Sequence, residues 1–475
     1  VKKNIIILGL IFICIFYSCL GRKASRQALY DLQNAPGEND HLDSIITLQN
    51  HTQEDGNPDS GYQYLLHGDM FSSGVPYSLY KFFFETPNRK ALSIAGYNKY
   101  VLNDFAVFKK EQVLAAPGCF HCHAQVFDGK LVIGLGNSYS KFQVSHLGYI
   151  KTADRFVKLL YGKNSREWKN AKNISTAGKL LAPRLILQMQ GPNPAHRIAD
   201  IMASHRDPQT LRLRTDTNYF SAPVVNLPTD IPALWLAKKK NAWNYNGMMQ
   251  GSPAKNLMIA TILTLTDSSE AAHIYEMMKD AWAYLQTLEA PKYPYPIDIP
   301  LAKQGEYIFT TTCSGCHGTY GANAFYPNKV IPVSIIGTDS LMLKYYRQNK
   351  GYEEWYNTSW YATTYEPGFL RPQYGYMAPP LDGIWMTAPY FHNGSVPTVE
   401  AVLNSKIRPR YWKRSFKREE YDFVKLGWKH RTLTHEGTAK SYNTDIPGYG
   451  NYGHYFGDGL SDRQRIAVIE YLKTL

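Results

Sequence analysis

Apolar positions along this chain change their rhythm several times. After basic Lys2 and Lys3, a continuous apolar run extends from Ile5 to Tyr17. It is too short for a membrane span, which needs about 20 residues, and suits the apolar region of an export leader. Residues 20–60 scatter Pro, Gly, Asn and Asp without a periodic apolar face, which predicts a polar tether. Helical stretches are expected near Leu92–Leu114 and over the apolar run Asn256–Leu265. Asp267, with Glu270 three residues on, opens another helix in capping-box style. Ile274, Met278, Ala281, Leu285 and Leu288 form its apolar face, so the methionines in it read as core. Pro291, Pro294, Pro296 and Pro300 end that helix and mark a boundary. A Ser461…Gln464 capping box starts a last helix carrying Ile466, Ile469, Tyr471 and Leu472. The resulting division is a leader over 1–19, a tether over 20–60, and globular domains over 61–290 and 291–475.

Two pentapeptides give these domains a chemistry: Cys119-Phe120-His121-Cys122-His123 and Cys313-Ser314-Gly315-Cys316-His317. In a Cys-x-x-Cys-His unit the thiols add across the vinyl groups of a haem, and the histidine (His123 or His317) lies under the iron. One helical turn puts both sulfurs and the imidazole on one side of the ring. With 6 Cys and 14 His in 475 residues, one such unit arises by chance about 0.002 times. A structural zinc site would require the two units to converge and would leave both histidines unexplained. A thioredoxin-like pair would occur once, early in a βαβ unit, and none is visible. Two covalently attached c-type haems are the expected cofactors.

The other cysteines, Cys14 and Cys19, lie in the leader, so no disulfide framework remains. Phe16-Tyr17-Ser18-Cys19 resembles a bacterial lipoprotein box, with Cys19 as the lipidated residue. The expected location is the periplasmic side of a bacterial cell envelope, held to a membrane by a lipid anchor. The rest of the chain, 44% hydrophobic overall, is long enough for two or three domains with ample cores. Its formal charge of +13 invites an acidic redox partner or an anionic surface, and export excludes nucleic acid. The densest basic run, Lys406 to Arg418, reads either as a solvated face or as a clamp on haem propionates.

A longer segment carries a family resemblance. Pro380-Leu381-Asp382-Gly383-Ile384-Trp385 and Thr387-Ala388-Pro389-Tyr390-Phe391-His392-Asn393-Gly394-Ser395-Val396-Pro397-Thr398 resemble the signature after the second haem in di-haem cytochrome c peroxidase and MauG-type enzymes. Ala302 to Phe309 resembles the first helix of a class I cytochrome c, whose last helix would cross it where Gly305 meets Tyr471. The implied fold is mainly α, with two cytochrome c-like haem domains, long irregular loops and an inserted lobe over 340–370. Its implied activity is that of a peroxidase-like or oxygenase-like oxidoreductase with a reactive N-terminal haem and an electron-transferring C-terminal one. The implied partners are a small oxidant, peroxide or dioxygen, and a redox protein or organic electron donor. The other reading is an electron-transfer cytochrome without substrate chemistry of its own.

Details resemble the rubber-oxygenase-like branch. No methionine follows Met386, so the usual peroxidase ligand is missing, while His454 stands where that branch places a histidine. His454 is thus a candidate sixth ligand to the iron of His317, with Met377 as the alternative and a surface-loop histidine as the bland reading. Asp230-Ile231-Pro232-Ala233-Leu234-Trp235 is similar to a segment of the same relatives, which makes Trp235 either an electron relay or core packing. His392 is a candidate haem-pocket residue. His196, His205 and Asp230 have the chemistry for the distal side of the first haem.

Overall fold

The computed structural model describes residues 23, 25–34, 44–51, 54–84, 105–417 and 419–475. Cys14, Cys19 and the stretch 92–104 lie outside them. Helix accounts for 43% of the described residues and strand for 15%, so the mainly α expectation holds, with small sheets added.

Two helix pairs organise the interior by the same device. Helix Pro58–His67, capped by Asn57, lies against helix Ser268–Thr287. A methyl at Gly61 would stand 1.9 Å from the Asp280 carbonyl oxygen, so only glycine lets the two backbones approach this closely. Helix Ile299–Thr312 and helix Asp462–Leu472 form the second pair, and a methyl at Gly305 would stand the same 1.9 Å from the Ala467 carbonyl oxygen. The nearest neighbours of Gly305 are thus backbone atoms of Ala467 and Val468, while the Tyr471 ring packs on Phe309 with centroids 5.2 Å apart. The aromatic side of the expected crossing is moved along the helix. Ser461 and Gln464 form the anticipated reciprocal cap. At Asp267 the cap is only half reciprocal, because Glu270 accepts from Thr266 one residue upstream.

The two largest apolar clusters each draw on both sides of position 290. The first joins Leu65, Ile274 and Met278 to Tyr345, Trp355 and Tyr356 from helices Leu341–Gln348 and Lys350–Thr358. The aromatic residues of the inserted lobe thus complete a core built mostly by the first half. The second joins Phe309, Trp385 and Ile469 to Phe127, Leu135 and Trp235.

Three stretches depart from expectation. Residues 25–34 form a helix that buries Leu29 and Leu32, and Ile46–Thr47 pairs with Lys329–Pro332, so the described parts of the 20–60 stretch are docked rather than a free tether. From Phe105 the expected Leu92–Leu114 helix is instead a hairpin, Phe105–Lys109 with Val113–Pro117. Ala106, Val107, Phe108, Leu114, Ala115 and Ala116 are all buried, so the strands are covered on both faces and show no alternation. The run after Asn256 begins as the α-helix Pro253–Met258 and tightens to a 3-10 helix over Ile259–Leu263.

Candidate haem sites

Each Cys-x-x-Cys-His unit makes a single helical turn. In the first, the His123 and Cys122 amides donate to the Cys119 carbonyl at 3.1 and 3.3 Å. In the second, the His317 and Cys316 amides donate to the Cys313 carbonyl at 3.0 and 3.1 Å. No disulfide joins any of these four cysteines. Among the described residues no three His, Cys, Asp or Glu side chains gather to hold a bare metal ion.

The second unit opens onto a cavity of about 280 Å³, lined mainly by apolar side chains such as Phe309, Ile331, Leu381 and Val468. Cys313, Cys316 and His317 stand on its wall together with His454, His392, Met377 and Asp230. His317 Nδ1 lies 2.8 Å from the Pro379 carbonyl. That contact places its proton on Nδ1 and leaves the Nε2 lone pair for a metal. The rings of His317 and His454 are 6.1 Å apart between centroids. An iron held about 2 Å from a nitrogen of each ring needs a separation of about 6 Å. Burial pushes the His454 imidazole down to about 3, with His317 and Arg408 nearby adding to the shift, which favours the neutral form that can ligate. Lys240 also reaches the cavity, where burial lowers its ammonium to about 8 and a negative charge on the occupant would favour it. An acidic substituent on the bound group would supply that charge, so donors, spacing and polarity all suit a c-type haem.

The loop carrying His454 is held by an arginine of the basic run Lys406 to Arg418. Arg408 donates to five backbone carbonyls, those of Ala401, Val402, Asn451, Gly453 and His454. It lies between the rings of Phe391 and Tyr455. His454 has φ +49°, a backbone conformation that needs outside support. Arg414 is likewise buried, bonded to Ser138 and stacked 4.0 Å over Trp428, while Arg410 pairs with Asp445. None of the described residues in the run lines the His317 cavity, so the propionate clamp is not found there. Backbone carbonyls leave no mark in a sequence, which is why Arg408 could not be singled out.

His392 stacks on Tyr376 with centroids 4.4 Å apart, and its Nε2 lies 3.1 Å from the Tyr376 hydroxyl. Burial lowers its imidazole to about 3. Asp230 belongs to this second cavity: it receives the Tyr245 hydroxyl, and burial raises its carboxyl well above the usual range. His205 sits 3.2 Å from the Thr217 carbonyl, and His196 lies against Thr229 and Tyr345.

At the first unit, Cys119 Sγ is 3.4 Å from Met70 Sδ, and Asn193 Nδ2 donates toward Cys122 Sγ at 3.5 Å. Burial lowers the His123 imidazole to about 4, and the Pro232 carbonyl beside it offsets this only in part. His123 Nδ1 lacks a partner in good geometry. Proline carbonyls therefore stand behind both motif histidines, Pro232 at His123 and Pro379 at His317. The chain continues Ala233-Leu234-Trp235 after one and Pro380-Leu381-Asp382 after the other.

The segment from Asp230 to Trp235 touches both sites. Asp230, Ile231, Pro232 and Ala233 line the His317 cavity, while Pro232 also faces His123. Gly134 donates to the His123 carbonyl at 2.8 Å and accepts from the Leu234 amide at 2.8 Å. Trp235 is 1% exposed, and its Nε1 donates to the Asp382 carbonyl at 2.9 Å. A methyl on Gly134 would stand 3.2 Å from Trp235 Cε3, and one on Gly383 would stand 3.3 Å from Cζ2. The indole is thus wedged between the strip following the first motif and the strip following the second.

Residues 375–413 match the family described as RoxA-like, cytochrome c-like. That stretch contains Met377, Pro379 and His392 of the cavity wall, and the match supports a cytochrome c-like, RoxA-like relationship and a covalently bound c-type haem. The chain is also similar to the uncharacterized proteins y4iJ and y4iM of Sinorhizobium fredii (strain NBRC 101917 / NGR234), at 29% and 26% identity. The alignments cover 40% and 52% of this chain and 41% and 64% of those two relatives.

Proposed function

We propose that the protein is an exported di-haem c-type oxidoreductase of the peroxidase or oxygenase kind, lipid-anchored at Cys19 on the periplasmic side of a cell envelope. Cys119, Cys122 and His123 would hold the reactive haem; Cys313, Cys316, His317 and His454 would hold the electron-transferring one. Haem supplies one-electron redox chemistry and, where one axial face is open, a place for peroxide or dioxygen to react. The chain's own part is to fix both histidines as neutral ligands, exclude water with an apolar wall and set Trp235 between the centres. The twice-used glycine crossing and proline carbonyl support two cytochrome c-like lobes. The observation that carries the reading is the Asp230–Trp235 strip, which serves both sites at once. Electrons passing from a redox partner to a small oxidant need such a short path.

The test is a haem count and a turnover assay. Two covalent haems should survive denaturation, and peroxide consumption with an artificial donor should fall sharply in His123→Ala. One haem or none would end the reading. The pairing of His317 with His454 favours electron transfer at the second site, so a pure electron carrier is the competing reading. It would be established if neither centre bound carbon monoxide or cyanide in any redox state.

A further inference from the structure

Helix Leu147–Tyr161 is apolar on two sides. Inward, Val157 is buried and Asp154 turns onto Lys158, Ser175 and Lys179, tying the helix to Arg166–Leu181. Outward it presents Tyr149, Ala153 and Leu160 on one helical face with Leu159 at the edge. Tyr149 is 79% exposed, Leu159 81% and Leu160 56%. Surface helices ordinarily turn polar residues outward, and clustered exposed apolar groups mark a surface that something covers.

The surrounding charge points to the partner. Between 141 and 172 the only acids are Asp154 and Glu167. The first is turned inward, and the second lies 3.6 Å from Arg166. The exposed fringe is Lys151, Arg155, Lys163, Lys169 and Lys172. A protein partner is usually held in register by charges of both signs. A fringe that is basic throughout suits the diffuse negative charge of lipid headgroups. No helix among the described residues is long and apolar enough to cross a membrane, so the contact is shallow.

We propose that this helix lies in the interface of an anionic lipid leaflet, with Tyr149, Leu159 and Leu160 among the acyl chains and the lysines against the headgroups. The contact belongs to the folded chain and is separate from any lipid on Cys19. Hydrogen exchange of the full-length protein reads it locally. Phosphatidylglycerol vesicles should slow exchange over 147–161 by about tenfold, with little effect from phosphatidylcholine. High salt should reverse the slowing. The double variant Leu159→Glu/Leu160→Glu, with unchanged haem absorption as proof of folding, should lose it. Unchanged exchange with phosphatidylglycerol overturns the proposal, as does equal slowing with phosphatidylcholine or in the double variant. Slowing that follows protein concentration without lipid would overturn it in favour of a second copy of the chain.

Discussion

Arg408 holds the backbone on which His454 stands, donating to the Gly453 carbonyl at 2.6 Å and to the His454 carbonyl at 3.2 Å. Because His454 sits at positive φ, its position depends on such outside bonds. Arg408→Ala is expected to cost about 2–3 kcal/mol in a denaturant melt. On the proposed ligation, it should also shift part of the haem at His317 from low to high spin. Arg408→Lys keeps the charge but loses the planar fork, and should recover little of either.

The ligand assignment has its own check. His454→Ala should make one haem high-spin and open to carbon monoxide, leaving the other unchanged in its absorption spectrum. Met377→Leu, a swap of similar volume in the same cavity wall, should leave spin state alone and cost less than about 1.5 kcal/mol. The reverse pattern would transfer the ligand role to Met377.

Gly305→Ala should be among the most damaging single-methyl changes in the chain, since the new carbon would meet the Ala467 carbonyl at 1.9 Å. Forcing the terminal helices apart is expected to cost about 2–4 kcal/mol by chemical denaturation. Gly61→Ala should behave alike through the Asp280 carbonyl.

These glycines show what could and could not be read in advance. Gly305 stood beside a recognisable haem motif, so its helix was legible, as was Ser268–Thr287 with its cap and 3.6-residue spacing. Gly61 performs the same task in a stretch with no such marker. The hairpin from Phe105 was hidden because both strands are buried on both faces, and its Lys-Lys-Glu-Gln turn is built of helix formers. Motif and resemblance singled out Cys313, Cys316, His317, His454 and His392, which the structure brings to one cavity. Pro232, Pro379 and Arg408 act through carbonyl contacts across the fold, which no spacing in the sequence records.

Asp154 gives a pH-dependent prediction. Burial raises its carboxyl, but bonds from Lys158, Lys179 and Ser175 outweigh burial and bring it to about 2. The folded value lies below the unfolded one, so its contribution is full above about pH 4 and is lost as pH falls toward 2. Both lysines are about one-third exposed, which limits the effect to about 1–2 kcal/mol after screening. Asp154→Asn should therefore destabilise the protein by that amount at pH 6. The difference from the parent in thermal melts should vanish near pH 2.

The strip from Asp230 to Trp235 also bears on heredity. A recombinant that took one half of this chain from a relative would receive a wall fitted to some other molecule's second centre. A half expressed alone would expose the raw face where Tyr345 or Phe127 had been packed. Two parts of a chain that share a wall can be inherited, or redesigned, only as a pair.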